Sequence, residues 1–317
     1  MATLLLTHPC FVNHDTGEGH PERPDRMRVL DKVFADEIFD GLVRDDAPLR
    51  DDVEDAILRA HPQSYLDGIK SARPGPGQPS VRLDPDTVLS PGSWEAALRA
   101  VGSGLEAVDR VFDQSNDIKN AFCQVRPCGH HAEANKSMGF CLFSNAAIAA
   151  HYARAQHGLD RVAVVDFDVH HGNGTQDIFW SDKDLFLGST HQMPLYPGTG
   201  APREEGASGN ICNAPLSPED DGGPFRAAFN NRILPALRDF SPDLIIISAG
   251  FDAHEADPLA NLRLVEDDFV WATDKLMEAA EQQAGGRVVS MLEGGYDLEA
   301  LGRSASGHVQ MLMGASC

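Results

Sequence analysis

Short apolar runs at 3–7, 121–125, 162–165, 185–188, 244–247 and 287–291 alternate with stretches of helical spacing, and this alternation constrains the fold more than any other feature. Helical spacing covers 25–38, 55–71 in two pieces around Pro62, 144–157, 223–239, 266–283 and 298–313. A further long helix is expected from Ser90 to about residue 112, with Ser90 as its N-cap and Pro91 in the first helical position. Strand–helix alternation of this kind predicts an α/β fold, a mainly parallel sheet with helices on both faces. The Pro- and Gly-rich stretch 73–79 reads as a loop, since neither side of it looks like a self-sufficient unit.

The apolar runs share a second property, because chemically able residues follow them directly. The run 162–165 leads into Asp166-Phe-Asp168-Val-His170-His171 and then Gly172-Asn173-Gly174. In extended chain, Asp166, Asp168 and His170 would project to one side. In open parallel sheets, ligands bind at the carboxyl ends of the strands. Those ends would deliver His130, His131, Asp166, Asp168, His170, Asp252 and Tyr296 to one rim.

Asp252, following the run 244–247, is the natural third ligand beside Asp168 and His170. A lone aspartate after a strand is more often a helix cap; in this company ligation is the stronger reading. An Asp–His–Asp set suits Zn²⁺ with a position left for water, and its oxygen content also admits Fe²⁺, Co²⁺ or Mn²⁺. Two carboxylates neutralise the ion, so a separate base is required. The pair His130-His131 can supply it, with Asp166 and Asn173 available to orient the rings. Tyr296, after Glu293-Gly294-Gly295, carries a hydroxyl able to stabilise an oxyanion. Taken singly, the histidines read as readily as a surface pair, or as one core histidine with an exposed neighbour, and the tyrosine reads more readily as a core residue.

Composition excludes several classes. With 26 basic and 48 acidic residues the formal charge is −22, which gains nothing from phosphate backbones and argues against direct nucleic-acid binding. The same charge would steer cationic substrates inward, or serve solubility alone. Six cysteines without a CxxC spacing point to reduced thiols. The run Leu4-Leu-Leu6 is too short and lacks the basic flank of a signal peptide, and no apolar run approaches a membrane span. A soluble, cytoplasmic, bacterial protein is expected; oligomeric state is not readable.

Several stretches together resemble the zinc-dependent histone deacetylase superfamily, which includes acetylpolyamine amidohydrolases and acetoin-utilisation proteins. They are His20-Pro-Glu-Arg-Pro-Asp-Arg26, Gly129-His-His131, Gly139-Phe-Cys141, the stretch 166–175, Tyr196-Pro-Gly-Thr-Gly200, Gly250-Phe-Asp252, Asp257-Pro-Leu259 and Glu293-Gly-Gly-Tyr296. Asn173 and the Leu-Glu-Gly-Gly-Tyr form resemble the class II branch and its bacterial relatives. The resemblance implies an arginase-like fold in a single catalytic domain spanning 1–317, with zinc on Asp168, His170 and Asp252. It implies His130 and His131 as general acid–base pair, bonded to Asp166 and Asn173, and Tyr296 as the group that polarises the carbonyl. Gly139, Phe140 and Tyr196 would line an acyl-lysine channel, and Arg26 would serve an internal acetate-release channel. A structural K⁺ would use Asp166, Asp168, His170, Ser189 and Thr190. Cys128 departs from the proline usual before Gly-His-His, and Tyr196 from the more frequent phenylalanine.

The expected activity is removal of acetyl or a related acyl group from a lysine side chain or similar amine. The main alternative is an acetylpolyamine or other small amide or ester; Leu259, where polyamine enzymes tend to carry an acid, favours acyl-lysine. A silent acyl-lysine binding module is the remote alternative. Cys128 and Cys141 border the candidate base and channel, and read either as inert buried thiols or as an oxidant-sensitive pair.

Overall fold

The computed structural model describes residues 2–314. Its strands in chain order are β1 (Ala2–Thr7), β2 (Val43–Asp46), β3 (Val81–Arg82), β4 (Val88–Leu89), β5 (Ile118–Cys123), β6 (Val162–Asp166), β7 (Leu185–Gln192), β8 (Ile211–Leu216), β9 (Leu244–Ala249) and β10 (Val288–Leu292). Strands β3 and β4 form a small antiparallel hairpin. The other eight make one sheet in the order β2-β1-β5-β10-β9-β6-β7-β8, and every pairing in it is parallel. The helices are α1 (Asp25–Val33), α2 (Val53–Ile57), α3 (Gln63–Ala72), α4 (Ser93–Phe112), α5 (Asn145–His157), α6 (Asn173–Phe179), α7 (Gly222–Ala228), α8 (Leu234–Phe240), α9 (Glu266–Gln283) and α10 (Leu298–Leu312).

Helices α2, α4 and α5 pack together against β5, β6, β9 and β10, while α1, α10, α9 and α7 pack in succession over the other face. Covered on both faces, the central strands carry near-continuous apolar runs rather than alternation. Leu244, Ile245, Ile246 and Ile247 of β9 and Val162 to Val165 of β6 have no solvent exposure. Each such Leu, Ile or Val side chain contributes roughly 1.5–3 kcal/mol through burial. Among the described residues no helix is long and apolar enough to cross a membrane.

The expected α/β architecture holds, and the differences lie at its margins. Edge strand β2, Val-Arg-Asp-Asp, gives no apolar signal because an exposed edge favours charge, whereas β8, Ile-Cys-Asn-Ala-Pro-Leu, is largely buried and its apolar signal is broken by Asn213 and by Pro215, which an edge tolerates. Ser90 does not cap α4. The helix starts at Ser93 behind Gly92. The Ser90 hydroxyl instead meets Ser93 Oγ at 2.9 Å and accepts the Asp15 N–H at 2.9 Å. The stretch 223–239 divides into α7 and α8 around a π-turn at Phe229–Ile233. The Gly172-Asn173-Gly174 break is the entry to α6 rather than a free turn.

Because Ile246 packs with no exposed surface in a central strand, Ile246→Ala should cost about 2–5 kcal/mol. Urea unfolding monitored by circular dichroism reads that loss directly.

Candidate active site

Sheet register sets the rim. Asp166 at the end of β6 pairs with Ser248 on β9 and Ser189 on β7, and Leu292 at the end of β10 pairs with Ala249. The segments leaving β6, β9 and β10 therefore emerge side by side. Extended geometry does not continue past Asp166. The Asp168 N–H donates to Asp166 Oδ1 at 3.0 Å, and the His170 N–H donates to Asp168 Oδ1 at 2.9 Å. Successive Asx-type turns, not strand alternation, bring these side chains together.

Asp168, His170 and Asp252 each offer one ligand atom, and these atoms all lie within 4.8 Å of one another. All three residues are buried. His170 Nδ1 is 3.2 Å from Asp168 Oδ1 and 3.0 Å from Asp252 Oδ2. Backbone N–H groups hold the remaining oxygens: Gly294 to Asp168 Oδ2 at 2.8 Å, Val169 to Asp252 Oδ1 at 2.9 Å. Burial opposes charge on His170, but Asp168 and Asp252 overcome it and push the imidazole up to about 10. Burial and Asp168 push Asp252 up to about 7. Two glycines keep the cradle open. A Cβ on Gly250 would sit 2.1 Å from Asp168 Oδ2, and one on Gly294 would sit 2.2 Å from Asp252 Oδ2. The donor set, its burial and its clearance fit a divalent cation.

The two expected base residues stand in different electrostatic settings. His130 Nδ1 lies 3.0 Å from Asp166 Oδ2, and His131 Nδ1 lies 2.7 Å from Asn173 Oδ1. Their rings are 4.0 Å apart. Burial would lower His130, yet Asp168 and Asp166 hold it well above its ordinary value. Burial, with His130 and His170, holds His131 well below its ordinary value. A carboxylate partner and an amide partner thus set a charged histidine beside a neutral one.

A cavity of about 200 Å³ opens onto this rim. His131, His170 and Tyr296 are among its lining residues, together with Gly139, Phe140, Tyr196 and Leu259. His130 is not among the lining residues. Asp86 and Leu195 also line it, two loop positions that no local sequence pattern marks. Tyr296 is buried, and burial raises its phenol well above the ordinary value, so the hydroxyl keeps its proton. The Tyr296 N–H donates to Asp257 Oδ2 at 2.7 Å, and Asp257 Oδ1 accepts the Leu259 N–H at 3.0 Å, tying two sides of the cavity together.

Behind the cavity lies an ion network whose extent the sequence did not reveal. Arg26 is fully buried and donates from Nε to Gly295 O at 2.7 Å and from Nη2 to Glu293 O at 2.5 Å. Its guanidinium stands 5.2 Å from the Tyr296 ring centroid. Glu22 accepts from Arg26 Nη1 at 3.2 Å, from Arg126 Nη2 at 2.7 Å and from Arg126 Nε. Ser189 Oγ meets His191 Nδ1 at 2.9 Å, while the buried Thr190 hydroxyl has no hydrogen-bond partner among the described residues.

A family model for the histone deacetylase domain matches residues 20–312, and the chain belongs to that family. It is 38% identical over 298 residues to the histone deacetylase-like amidohydrolase of Pseudomonas aeruginosa, covering 92% of this chain and 77% of that one. It is 35% identical over 307 residues to a probable deacetylase of Archaeoglobus fulgidus, covering 94% and 82%. The chloroplastic histone deacetylase 14 of Arabidopsis thaliana is 39% identical over 327 residues, covering 99% and 77%, so such relatives are not confined to bacteria. The fold superposes on the crystal structure of the HDA15 HD domain with a TM-score of 0.91 at 33% identity, covering 99% of this chain and 89% of that one. The arginase-like architecture expected from the resemblance is thereby observed.

Glu22 joins both buried guanidiniums. Burial alone would raise its carboxyl; Arg126 and His14 hold it well below the ordinary 4.5. A depressed folded value stabilises the fold above the unfolded value and loses that contribution as pH falls through the folded one. Glu22→Gln should therefore destabilise the protein at neutral pH by about 3–5 kcal/mol, as breaking a buried pair does. Denaturant titration at pH 7 checks the magnitude.

Proposed function

We propose that this protein is a metal-dependent deacylase that removes acetyl, or a related acyl group, from the amine of a lysine side chain. The observation that carries the reading is the convergence of neutral His131, the Asp168–His170–Asp252 set and the Tyr296 hydroxyl on one cavity. Zn²⁺ suits the three ligands; Fe²⁺ or Co²⁺ suits the oxygen-rich set as well. Such an ion, when bound, supplies Lewis acidity to the acyl carbonyl and to water.

The chain's own groups carry the rest. His131 takes the proton of the attacking water; its lowered basicity keeps it unprotonated and ready at neutral pH. The Tyr296 hydroxyl donates to the carbonyl oxygen as negative charge gathers there. His131 then returns the proton to the amine nitrogen as the acyl C–N bond breaks, because a neutral amine leaves and an amide anion does not. His130, held cationic by Asp166 and Asp168, stays behind His131 and favours the negative charge of the transition state. Asn173 orients the His131 ring without adding charge. We assign K⁺ to Asp166, Asp168, His170, Ser189 and Thr190, on the pairing of Asp166 with Ser189 and the unpartnered Thr190 hydroxyl. Arg26 fixes the backbone of residues 293–295, and an acetate-release role for it rests on the family resemblance. A cytoplasmic location is proposed on the free thiols of the described cysteines.

Leu259 and the aromatic walls suit an acyl-lysine stem. Asp86 at the cavity, with the charges of Asp84, Asp86 and Glu133 acting on Tyr196, favours a second reading, an acylated polyamine. A panel of acetyl-lysine peptides and acetylated polyamines, compared by kcat/KM, separates the two.

Tyr296→Phe keeps the ring and removes the donor. Its kcat on an acetyl-lysine peptide should fall by about 10²–10³ with little change in KM and normal metal content; a near-normal kcat removes Tyr296 from the mechanism. His131 must be unprotonated to act, and its value lies below the ordinary 6.5. The acid limb of the kcat/KM–pH profile should accordingly fall below pH 6.5, and a limb at or above that value contradicts the assignment.

A further inference from the structure

The thiols of Cys128 and Cys141 have no part in the reaction above, yet their sulfurs are 3.3 Å apart. Both residues are buried, in a small cluster with Ala132 and the edge of Phe140. The Glu293 carboxylate joins them: one oxygen of Glu293 and the two sulfurs all lie within 4.8 Å of one another. Glu293 Oε2 accepts the N–H groups of Gly129 at 2.6 Å and His130 at 3.1 Å, while Oε1 is buried without a hydrogen-bond partner among the described residues. Two thiols in contact beside a base with a free oxygen form a reactive arrangement, distinct from a lone buried cysteine.

We propose that Cys128 and Cys141 are a dithiol that a hydroperoxide converts to an intramolecular disulfide, reversibly disabling the adjacent histidine site. The Glu293 carboxylate takes the Cys128 proton. Burial and the neighbouring Cys128 hold the Cys141 thiol well above its ordinary value, so Cys141 keeps its proton and Cys128 is the sulfur that attacks. It attacks one peroxide oxygen, the O–O bond breaks, and the departing oxygen collects the proton as water when the oxidant is hydrogen peroxide. Cys128 is then a sulfenic acid. The Cys141 sulfur attacks it, the S–O bond breaks, and the hydroxyl leaves with the Cys141 proton as a second water. Two electrons pass from the sulfurs to the peroxide, and a dithiol reductant returns them.

The consequence for the site follows from distance. A disulfide holds its sulfurs about 2.05 Å apart, so the two segments must approach by roughly 1 Å. Cys128 is two residues before His130, and its segment is pinned to Glu293 through Gly129 and His130. Cys141 follows Phe140 of the cavity wall, and Gly139 abuts the His131 ring so closely that a Cβ there would lie 2.3 Å from Cδ2. Movement on either side passes to His131 or to the wall. A misplacement of about 1 Å costs on the order of 10²-fold in rate. That consequence rests on the deacylase reading; the disulfide itself does not.

The test treats the zinc-loaded protein with hydrogen peroxide, caps free thiols, and maps the cysteines by mass spectrometry while acetyl-lysine turnover is followed in parallel. The expected result is a Cys128–Cys141 cross-linked peptide that accumulates in step with a fall in turnover of about 10–100-fold, both reversed by dithiothreitol. Cys128→Ala and Cys141→Ala should keep basal turnover and lose the reversible inhibition, with Cys128→Ser as the second variant should the alanine form fold poorly. A cross-link without loss of turnover overturns the proposal. So do free or singly oxidised thiols after peroxide, or equal reversible inhibition in Cys128→Ala. Absence of turnover in the reduced protein counts against the deacylase reading alone, because the cross-link is read without substrate.

Discussion

Burying Asp166, Asp168, Asp252 and Glu293 at adjoining strand ends, each with almost no solvent exposure, places like charges together in a poorly solvated interior. Such an arrangement is tolerated only where positive charge and hydrogen-bond donors meet it. His130 and His170 provide part of that compensation, and backbone N–H groups of Asp168, Val169, His170 and Gly294 provide more. A divalent cation would supply the remainder. The same logic governs the layer behind, where Glu22 is held between Arg26 and Arg126.

The fold makes this concentration of charge possible. Parallel strands point all their carboxyl ends one way, and the register of β6 with β9 and β7 aligns those ends. Chemistry then depends on small differences at the rim. His130 and His131 are neighbours in sequence with rings 4.0 Å apart, yet an aspartate behind one and an asparagine behind the other separate their protonation states. The neutral ring is the one that lines the cavity. Arg26 supports the opposite wall by fixing the turn that carries Tyr296.

Much of this was readable in the sequence, though not always for the right reason. Buried central strands such as β9 announce themselves as unbroken apolar runs. Strands β2 and β8 do not, since β2 is an exposed, charged edge and Asn213 and Pro215 interrupt the apolar residues of β8. Strand alternation predicts the convergence of Asp168 and His170, and turn geometry delivers it instead. Arg126 and Glu22 lie 104 residues apart, so no local pattern could mark them as partners. Asp86 and Leu195 come from loops whose path depends on the finished fold. Cys128 and Cys141 flanked the right motifs, but their contact is a tertiary fact.

The central claim is that Asp168, His170 and Asp252 hold one catalytic divalent ion. Elemental analysis and zinc titration of the stripped protein, beside Asp252→Ala with its fold verified by circular dichroism, test it most directly. The account predicts a single tightly held equivalent in the native protein, turnover of an acetyl-lysine peptide that returns only with metal, and neither property in Asp252→Ala. Stoichiometric metal and intact turnover in that variant would contradict it.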